Sequence, residues 1–251
     1  MHNVNELLNE VKLIVSNVIS SFENYNNPNF KDYLHSSENS KEIKSFADTF
    51  FEKEILTQLT KFGLPILTEE SGYLKNNSNS EFFFIVDPLD GTFNFVKGLG
   101  PCAISIALWN DRKPVFGVIY DLVKNQLIYG GPEFGSYCDN NKIIVSDTKN
   151  KSEASICTGF PASFELNESN LNHFINTVKP FAKVRMLGSA AISLVNVASG
   201  ISDVYFERSI MLWDVAAGIA IVEGAGGKYL LKGSSVRWSY EVNASNANLL
   251  I

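Results

Sequence analysis

The segment FIVDPLDGTFNF, residues 84–95, places two acidic residues directly after a strongly apolar stretch. The apolar run over residues 82–86 predicts a buried strand, and the chain continues into Asp87 and then Asp90. Pro88 fixes its own φ angle and lacks an N–H donor, so we expect the strand to stop there. Two carboxylates on one turn repel each other unless a positive ion lies between them. The segment therefore predicts a strand that delivers charge to a cation.

The same turn offers further oxygen ligands and a position for phosphate. The carbonyl of Leu89 lies between the aspartates in the sequence and can serve as another ligand. Mg²⁺ typically binds one or two carboxylates together with a substrate phosphate. Gly91 permits a backbone conformation close to a ligand, and Thr92 stands where a helix is expected to begin, a position that suits phosphate. A plain surface turn is the alternative, because Asp-Pro and Asp-Gly are good turn formers.

Acidic residues recur at two other predicted element ends. Glu69 and Glu70 follow the short apolar segment PILT, and Asp214 follows Trp213 at the start of a predicted helix. A solvated acidic pair and a helix N-cap are the simpler explanations for each position taken alone. Three such places in one chain, without a histidine placed for catalysis, favour a site in which several carboxylates bind metal.

The composition predicts a soluble globular protein with one large domain or two fused halves. The 251 residues are 45% hydrophobic, and the formal net charge is −6. With few clusters of basic residues, the chain is not expected to bind nucleic acid through its phosphates. A phosphorylated small molecule remains compatible with this charge, since a bound metal ion reverses the local sign.

Cysteine content and hydropathy predict a cytoplasmic protein. The widely spaced Cys102, Cys138 and Cys157 fit neither a disulfide framework nor a zinc site, and they indicate a reducing compartment. The first residues lack the pattern of a secretory signal. No apolar run approaches the roughly 20 residues that cross a bilayer, so we expect no membrane contact.

The first half of the chain, residues 1–150, combines two helices with a series of strands. Apolar spacing predicts an amphipathic helix over residues 4–22 and a second helix from residue 41 or 45 to about residue 61. Phe46 is among the apolar residues of the second helix expected to face inward. Short apolar segments between residues 65 and 145 predict strands, and an antiparallel meander is the expected layout.

The second half, residues 151–251, alternates strands with helices in the manner of an α/β protein. The predicted helices cover residues 168–178, 189–198 and 215–223. The last strands are predicted at VRWSY, residues 236–240, and at NLLI, residues 248–251. We expect the two halves to form one compact catalytic unit.

Two segments, VDPLDGTFNF at 86–95 and WDVAAGIAIVEGAGG at 213–227, resemble the signature motifs of the inositol monophosphatase family. The segments TEES, FADTFFEKEI and LGSAA extend the resemblance over nearly the whole chain. That family belongs to the Mg²⁺-dependent, lithium-sensitive phosphatases. The resemblance implies a fold of α/β (α+β) class, layered as an αβαβα sandwich, and a homodimer. It also implies metal-assisted hydrolysis of a phosphate monoester.

Matched residue by residue, the resemblance implies a metal site beside a substrate site. The implied metal ligands are Glu69, Asp87, the Leu89 carbonyl, Asp90 and Asp214. The implied catalytic residues are Glu69 and Thr92, which orient the attacking water, together with Asp90 and Asp48. The positions implied to contact the phosphate or the alcohol are Gly91, Thr92, Gly188, Ser189, Ala190 and Glu207.

The implied cofactor is Mg²⁺, as two or three ions. Mn²⁺ is a possible substitute, Li⁺ an inhibitor and Ca²⁺ a possible occupant in crystals. Family members commonly carry a lysine about eleven positions before the residue matched by Asp48, and Ser37 stands at that place here. Lys31, Lys41 and Lys44 are the candidates to replace it.

The resemblance implies inositol monophosphate, or a similar sugar or polyol phosphate, as the substrate. Histidinol phosphate, fructose 1,6-bisphosphate and 3′-phosphoadenosine 5′-phosphate are alternatives with the same chemistry. A regulatory binding protein that keeps the fold without catalysis is an alternative of another class. The presence of every implied metal ligand favours an enzyme.

Overall fold

The computed structural model describes residues 3–25, 33–35, 43–76, 80–111, 113–162 and 164–249 of the chain. The predictions about Ser37, Lys31 and Lys41 lie outside these residues. Among the helices that the structure describes, none is long and apolar enough to span a membrane.

The described residues form six α-helices and fifteen strands, with short 3₁₀ helices at Thr60–Phe62 and Lys151–Glu153. The helices are α1 Val4–Glu23, α2 Phe46–Leu59, α3 Thr92–Lys97, α4 Glu168–Val178, α5 Ala190–Ala198 and α6 Leu212–Gly224. The strands of the first half are β1 Tyr33–His35, β2 Ile43–Ser45, β3 Ile66–Thr68, β4 Gly72–Leu74, β5 Phe82–Asp90, β6 Ala103–Asn110, β7 Lys113–Asp121, β8 Gln126–Gly131, β9 Gly135–Cys138 and β10 Asn141–Ile143. Those of the second half are β11 Ser155–Thr158, β12 Lys183–Arg185, β13 Val204–Met211, β14 Lys228–Gly233 and β15 Ser239–Ser245.

The large sheet is antiparallel except at one strand pair. It has eight strands in the order β10-β9-β8-β7-β6-β5-β3-β4. The antiparallel meander predicted from the sequence is correct from β5 to β10. It is wrong for β3, which pairs in parallel with β5, so Thr68 lies beside Val86. The parallel register brings the ends of β3 and β5, where acidic residues follow, to one edge of the sheet.

The smaller sheet is mixed and has five strands in the order β12-β11-β13-β15-β14. Strand β11 runs parallel to β12 and β13, as the helix crossovers of α4 and α5 require. Strands β13, β15 and β14 pair antiparallel. The alternating pattern of the second half is therefore correct up to β13.

The side chains of β5 alternate between two apolar cores, because successive residues of a strand point to opposite faces. Phe84 and Val86 face a core shared with α1 and α2, whereas Ile85 faces a core shared with α5 and α6. A third core lies between α4 and the smaller sheet. Helices and sheets thus alternate in the order α1/α2, large sheet, α5/α6, small sheet, α4. The αβαβα layering and the mixed α/β class are confirmed.

The second helix differs from the prediction in the side it buries. Ser45 caps the helix, and Phe46, predicted to face inward, is 58% exposed. The buried side instead carries Asp48 and Glu52 among apolar residues such as Phe51. Phe46 lies on a different side of the helix from these buried residues. The positions of the apolar residues alone do not show that the core side includes carboxylates.

The last predicted strands are wrong in their positions. Within VRWSY, Trp238 has a φ of +66°, which strand pairing excludes, and β15 begins at Ser239. The Trp238 ring stacks on Tyr73 of the large sheet, with ring centroids 6.2 Å apart. Strand pairing ends at Ser245, and the chain bends over residues 246–248, where the Asn248 N–H donates to the Asn246 side chain at 3.1 Å. The last two residues of NLLI lie outside the described residues.

We expect Gly117→Ala to destabilise the protein, because β7 and α6 touch through their backbones at this point. A Cβ at Gly117 would lie 2.2 Å from the carbonyl oxygen of Ala217, so α6 would have to move away from the sheet. Such overpacking lowers the free energy of unfolding by about 1–3 kcal/mol, which urea unfolding measures. Gly233→Ala is the matched control, since the nearest atom to its Cβ lies 3.9 Å away. Equal stability of the two variants would show that α6 and β7 are not in rigid contact.

Candidate metal centre and substrate cleft

Three aspartates from two separate segments meet at one point. Asp87 and Asp90 come from the end of β5, and Asp214 comes from the first turn of α6. One oxygen of each carboxyl group lies within 4.8 Å of the others. The predicted stop at Pro88 is replaced by an irregularity, because pairing with β6 shifts register between Asp87 and Asp90 and then resumes. That shift turns both carboxylates toward α6.

Glu69 joins the aspartates from the turn after β3. Burial raises the pKa of Asp87 well above its ordinary value, and the charges of Glu69, Asp90 and Asp214 raise it further. Burial also raises the pKa of Asp214 well above its ordinary value, with Glu69 and Asp90 as the next causes. The cluster is therefore poorly neutralised by the chain itself.

Asp90 receives more hydrogen bonds than its neighbours. Its carboxylate accepts from the Ser189 hydroxyl and from the backbone N–H groups of Ala190 at 3.2 Å and Ala191 at 3.0 Å. These groups form the N-terminus of α5, where a negative charge is favourable. Burial raises the pKa of Asp90 to about 6, and the three donors limit the rise. The segment LGSAA thus holds Asp90 in addition to its predicted place beside the substrate.

Thr92 links the acidic turn to α2. Its hydroxyl oxygen lies 2.8 Å from Asp48 Oδ1 and 3.0 Å from the Leu89 carbonyl oxygen. The other oxygen of Asp48 accepts from the Ser45 N–H at 2.7 Å and the Ser45 hydroxyl at 2.6 Å. Burial raises the pKa of Asp48, while the hydrogen bonds from Ser45 and Thr92 act in the opposite direction. The predicted catalytic pair Asp48 and Thr92 is therefore in direct contact.

Gly91 allows the backbone turns around Asp90 to pack closely. Gly91 has a φ of +83°, and a Cβ there would lie 2.8 Å from the Pro101 carbonyl oxygen and 3.1 Å from that of Gly188. The close approach that Gly91 permits is thus made by the protein's own backbone. Asn94 holds the same segments together, since its amide nitrogen donates to the carbonyls of Pro101 at 2.9 Å and Leu187 at 2.7 Å.

A cleft of about 470 Å³ opens beside the aspartates. Its lining includes seven of the predicted site residues: Glu69, Asp90, Gly188, Ser189, Ala190, Glu207 and Asp214. The charged residues described in this lining are all acidic. The predicted residues Asp48, Asp87, Leu89, Gly91 and Thr92 are not among those that line it.

Glu207 lines the same cleft from strand β13. The residue is 7% exposed, and its Oε2 accepts from the Tyr205 hydroxyl at 2.9 Å. Burial raises the pKa of Glu207 to about 7, while the Tyr205 hydrogen bond lowers it and the charge of Asp90 raises it. Gly159 leaves room for this carboxylate, because a Cβ there would lie 2.9 Å from Glu207 Oε2.

Sequence reasoning did not identify Glu52, Asn94 and Tyr205, each of which contacts a segment of the site. Glu52 had one usable signal, because it follows Asp48 by four residues and so shares its side of the helix. Tyr205 had the equivalent signal on a strand, because it precedes Glu207 by two residues and so shares its face of β13. The contacts of Asn94 depend on segments brought together by the fold, and the residue pattern around it carries no such signal.

The inositol monophosphatase family model matches residues 2–247, and the chain belongs to that family. A protein of Aquifex aeolicus named fructose-1,6-bisphosphatase/inositol-1-monophosphatase is 33% identical over 77% of this chain and 74% of its own length. A Pasteurella multocida protein named Nus factor SuhB is 37% identical over 64% of this chain and 61% of its own length. The crystal structure of the extragenic suppressor protein suhB from Bartonella henselae has a TM-score of 0.78 and 29% identity. That comparison covers 96% of this chain and 91% of the other.

We expect the stability of the metal-free protein to fall as the pH rises from 5 to 8. The raised pKa values of Asp87, Asp90 and Asp214 mean that the native state binds protons more tightly than the unfolded chain. Deprotonation therefore costs native stability between the ordinary value of 3.8 and the raised values, about 6 for Asp90. Thermal unfolding in a chelator across this pH range measures the effect.

Asp214→Asn is the informative variant for this experiment. Loss of one charge should raise the melting temperature of the metal-free protein at pH 8 and flatten its pH dependence. The Asn carbonyl can still accept the hydrogen bond that the Met211 N–H gives Asp214 at 3.1 Å. A metal-free melting temperature that rises with pH, or an unchanged slope in Asp214→Asn, would contradict the electrostatic description of the cluster.

Proposed function

We propose that this protein is a Mg²⁺-dependent phosphomonoesterase that hydrolyses a sugar or polyol phosphate, such as inositol monophosphate, by attack of water. The observation that carries the proposal is the group formed by Glu69, Asp87, Asp90 and Asp214 at the edge of a cleft whose described charges are all acidic. Membership of the inositol monophosphatase family supports it.

The donor set fits a hard divalent cation. Carboxylate oxygens and a backbone carbonyl are the ligands that Mg²⁺ prefers. The residues that would hold the metal are Glu69, Asp87, the Leu89 carbonyl, Asp90 and Asp214. The mutual repulsion that raises the pKa values of Asp87 and Asp214 is what a cation relieves. When bound, Mg²⁺ promotes ionisation of water and stabilises negative charge on the phosphoryl and leaving oxygens.

The contact between Asp48 and Thr92 fixes the direction of the Thr92 hydroxyl. When Thr92 donates its proton to Asp48 at 2.8 Å, the lone pairs of its oxygen remain available. The Thr92 oxygen can then accept a hydrogen bond from a water molecule and orient it, together with the Glu69 carboxylate. Ser45 holds Asp48 in place with two hydrogen bonds, so the orienting pair is rigid. We assign water orientation to Thr92 and Glu69, with Asp48 behind Thr92.

The alcohol side of the cleft supports an uncharged polyol. Glu207 lines this part together with Ser189 and Ser193, whose hydroxyls donate to Asp90 and to the Ser189 carbonyl. A carboxylate is a good acceptor for the hydroxyl groups of a sugar or cyclitol. A second phosphate group, as in fructose 1,6-bisphosphate or 3′-phosphoadenosine 5′-phosphate, would face acidic residues without a described basic partner in the lining. This charge pattern favours a monophosphate over those alternatives.

The family and the sequence support further proposals. We propose that the protein is a homodimer without nucleic-acid or membrane partners. We also propose that Gly91 and Thr92 contact the phosphate of the substrate. The cytoplasmic location predicted from the cysteines and hydropathy also stays a proposal.

A regulatory binding protein is the second candidate function. It is favoured by one observation, the 37% identity to a protein named Nus factor SuhB. The two candidates differ in a measurable way, since a binding protein on this fold needs no turnover of phosphate esters. The complete set of acidic groups in the structure favours the enzyme.

We expect phosphate release from inositol monophosphate in the presence of Mg²⁺ and none in a chelator. A panel of histidinol phosphate, fructose 1,6-bisphosphate and 3′-phosphoadenosine 5′-phosphate tests the alternatives. Asp90→Asn should lower kcat by at least ~100-fold, because the variant loses one charge at the centre of the proposed ligand set. Asp147→Asn is the matched control on the surface.

Circular dichroism and thermal unfolding establish that the Asp90 variant is folded before its activity is compared. Absence of turnover on every ester at saturating Mg²⁺ would reject the enzyme and favour the binding protein. Full activity of folded Asp90→Asn would reject the metal assignment while leaving the phosphatase intact.

We expect Glu207→Gln to change substrate choice more than the chemical step. The amide retains the shape and can still accept from Tyr205, but it removes a charge from the alcohol side. The KM for a polyol monophosphate should rise roughly tenfold, as expected for loss of a charge-assisted hydrogen bond. The ratio of kcat/KM values for a bisphosphate over the monophosphate should also rise. Steady-state kinetics on both substrates measures this, and an equal fall in kcat on both would place Glu207 in the chemical step instead.

A further inference from the structure

Glu52 is a buried carboxylate of α2 that the proposed reaction leaves without a role. It is 8% exposed and stands on the core side of the helix. Its Oε1 accepts from the Thr68 hydroxyl at 2.8 Å and from the Ser71 N–H at 3.0 Å. Its Oε2 accepts from the Ser71 hydroxyl at 3.0 Å. Three donors on its two oxygens hold this carboxylate in one orientation, so Glu52 is suited to hold the backbone of the neighbouring turn.

The partners of Glu52 lie on both sides of Glu69 in the sequence. Thr68 is the last residue of β3, and Ser71 closes the turn that follows. The Glu69 N–H donates to the Val86 carbonyl at 3.3 Å, which ties the same turn to β5 just before Asp87. The segment that carries Glu69 is thus fixed by the sheet on one side and by α2 on the other.

Asp48 and Glu52 are one helical turn apart on the same side of α2. Asp48 contacts Thr92 in the turn after β5, and Glu52 contacts Thr68 and Ser71 in the turn after β3. One helix therefore holds both acidic turns through buried carboxylates. The helix, together with the parallel pairing of β3 and β5, sets the distance between the two turns.

We propose that Glu52 is a positioning residue: through Thr68 and Ser71 it fixes Glu69 next to Asp87 before a cation binds. The inference rests on the metal site of the proposed function and adds a residue outside the implied ligand set. Residues that orient metal ligands typically contribute ~10–100-fold to metal affinity. The contribution of Glu52 arises because a mobile Glu69 would lose conformational freedom each time the metal binds.

The test compares Mg²⁺ affinity in Glu52→Ala, Glu52→Gln and wild type by calorimetry on the full chain. Glu52→Ala removes all three contacts and should weaken Mg²⁺ binding by ~10–100-fold. Glu52→Gln keeps the shape and one acceptor oxygen, so it should rescue much of the affinity. Glu54→Gln, on the same helix, is the matched control and should bind Mg²⁺ like wild type. The Mg²⁺-induced rise in melting temperature gives a second readout without catalysis.

Activity measurements then separate positioning from catalysis. At saturating Mg²⁺, Glu52→Ala should recover most of its kcat with little change in the substrate KM, because only the metal requirement has changed. Wild-type Mg²⁺ affinity in folded Glu52→Ala would overturn the proposal and make Glu52 a purely structural residue. If Glu52→Ala does not fold, Ser71→Ala decides, because it removes one of the contacts, and unchanged affinity there overturns the proposal equally.

The outcome does not depend on the proposed reaction being correct. Wild-type protein that binds Mg²⁺ but hydrolyses no phosphate ester would reject the phosphatase, while the affinity differences among the variants would still decide the role of Glu52. Turnover in wild type with equal affinity in all variants would reject the positioning role alone.

Discussion

Repulsion among carboxylates is the constraint on which the rest of this structure depends. The chain brings Asp87, Asp90 and Asp214 to within 4.8 Å of one another and adds Glu69 beside them, against the electrostatic preference of the groups. The free energy that holds them there has to come from apolar packing elsewhere. Strand β5 is suited to this purpose because it buries alternate side chains in two separate cores and ends at the acidic turn. A sheet with water on one side would provide one core to anchor the turn, whereas this layered arrangement provides two.

The protein distributes hydrogen-bond donors unequally over the acidic groups. Asp90 accepts three hydrogen bonds at the start of α5, and its pKa rises only to about 6. Asp87 accepts from the Leu89 N–H at 3.0 Å, and Asp214 accepts from the Met211 N–H. Their pKa values rise well above the ordinary value. The donors at the start of α5 therefore offset part of the cost of burying Asp90, whereas Asp87 and Asp214 have fewer donors. A chain that stabilised all of these carboxylates through its own hydrogen bonds would bind metal only weakly.

The sequence predicted correctly those elements that depend on interactions within a few residues. The apolar run into Asp87, the extent of α1 and the bounds of α4 agree with the structure because strand burial and helical periodicity act within a few residues. The resemblance supplied the residues of the site, which spacing alone left open between turn, cap and ligand. Phe46 and Trp238 were misjudged because apolar character was read as burial in regular elements. Glu52 was missed because its partners lie 16 and 19 residues away, beyond the range of any pattern on one helix.

The residues of the site come from both sheets, and this arrangement determines which parts of the site can vary independently. The acidic turns after β3 and β5 belong to the large sheet, and their spacing is fixed by α2 and by parallel pairing of β3 with β5. Another part of the cleft is formed by β13 of the smaller sheet, where Glu207 stands before an irregularity in the pairing with β15. Side chains near a bulge can be redirected without moving the metal ligands. Under the proposed function, substitutions around Glu207 alter which phosphorylated alcohol is accepted while the acidic turns keep their positions, so that one chemistry can serve several substrates.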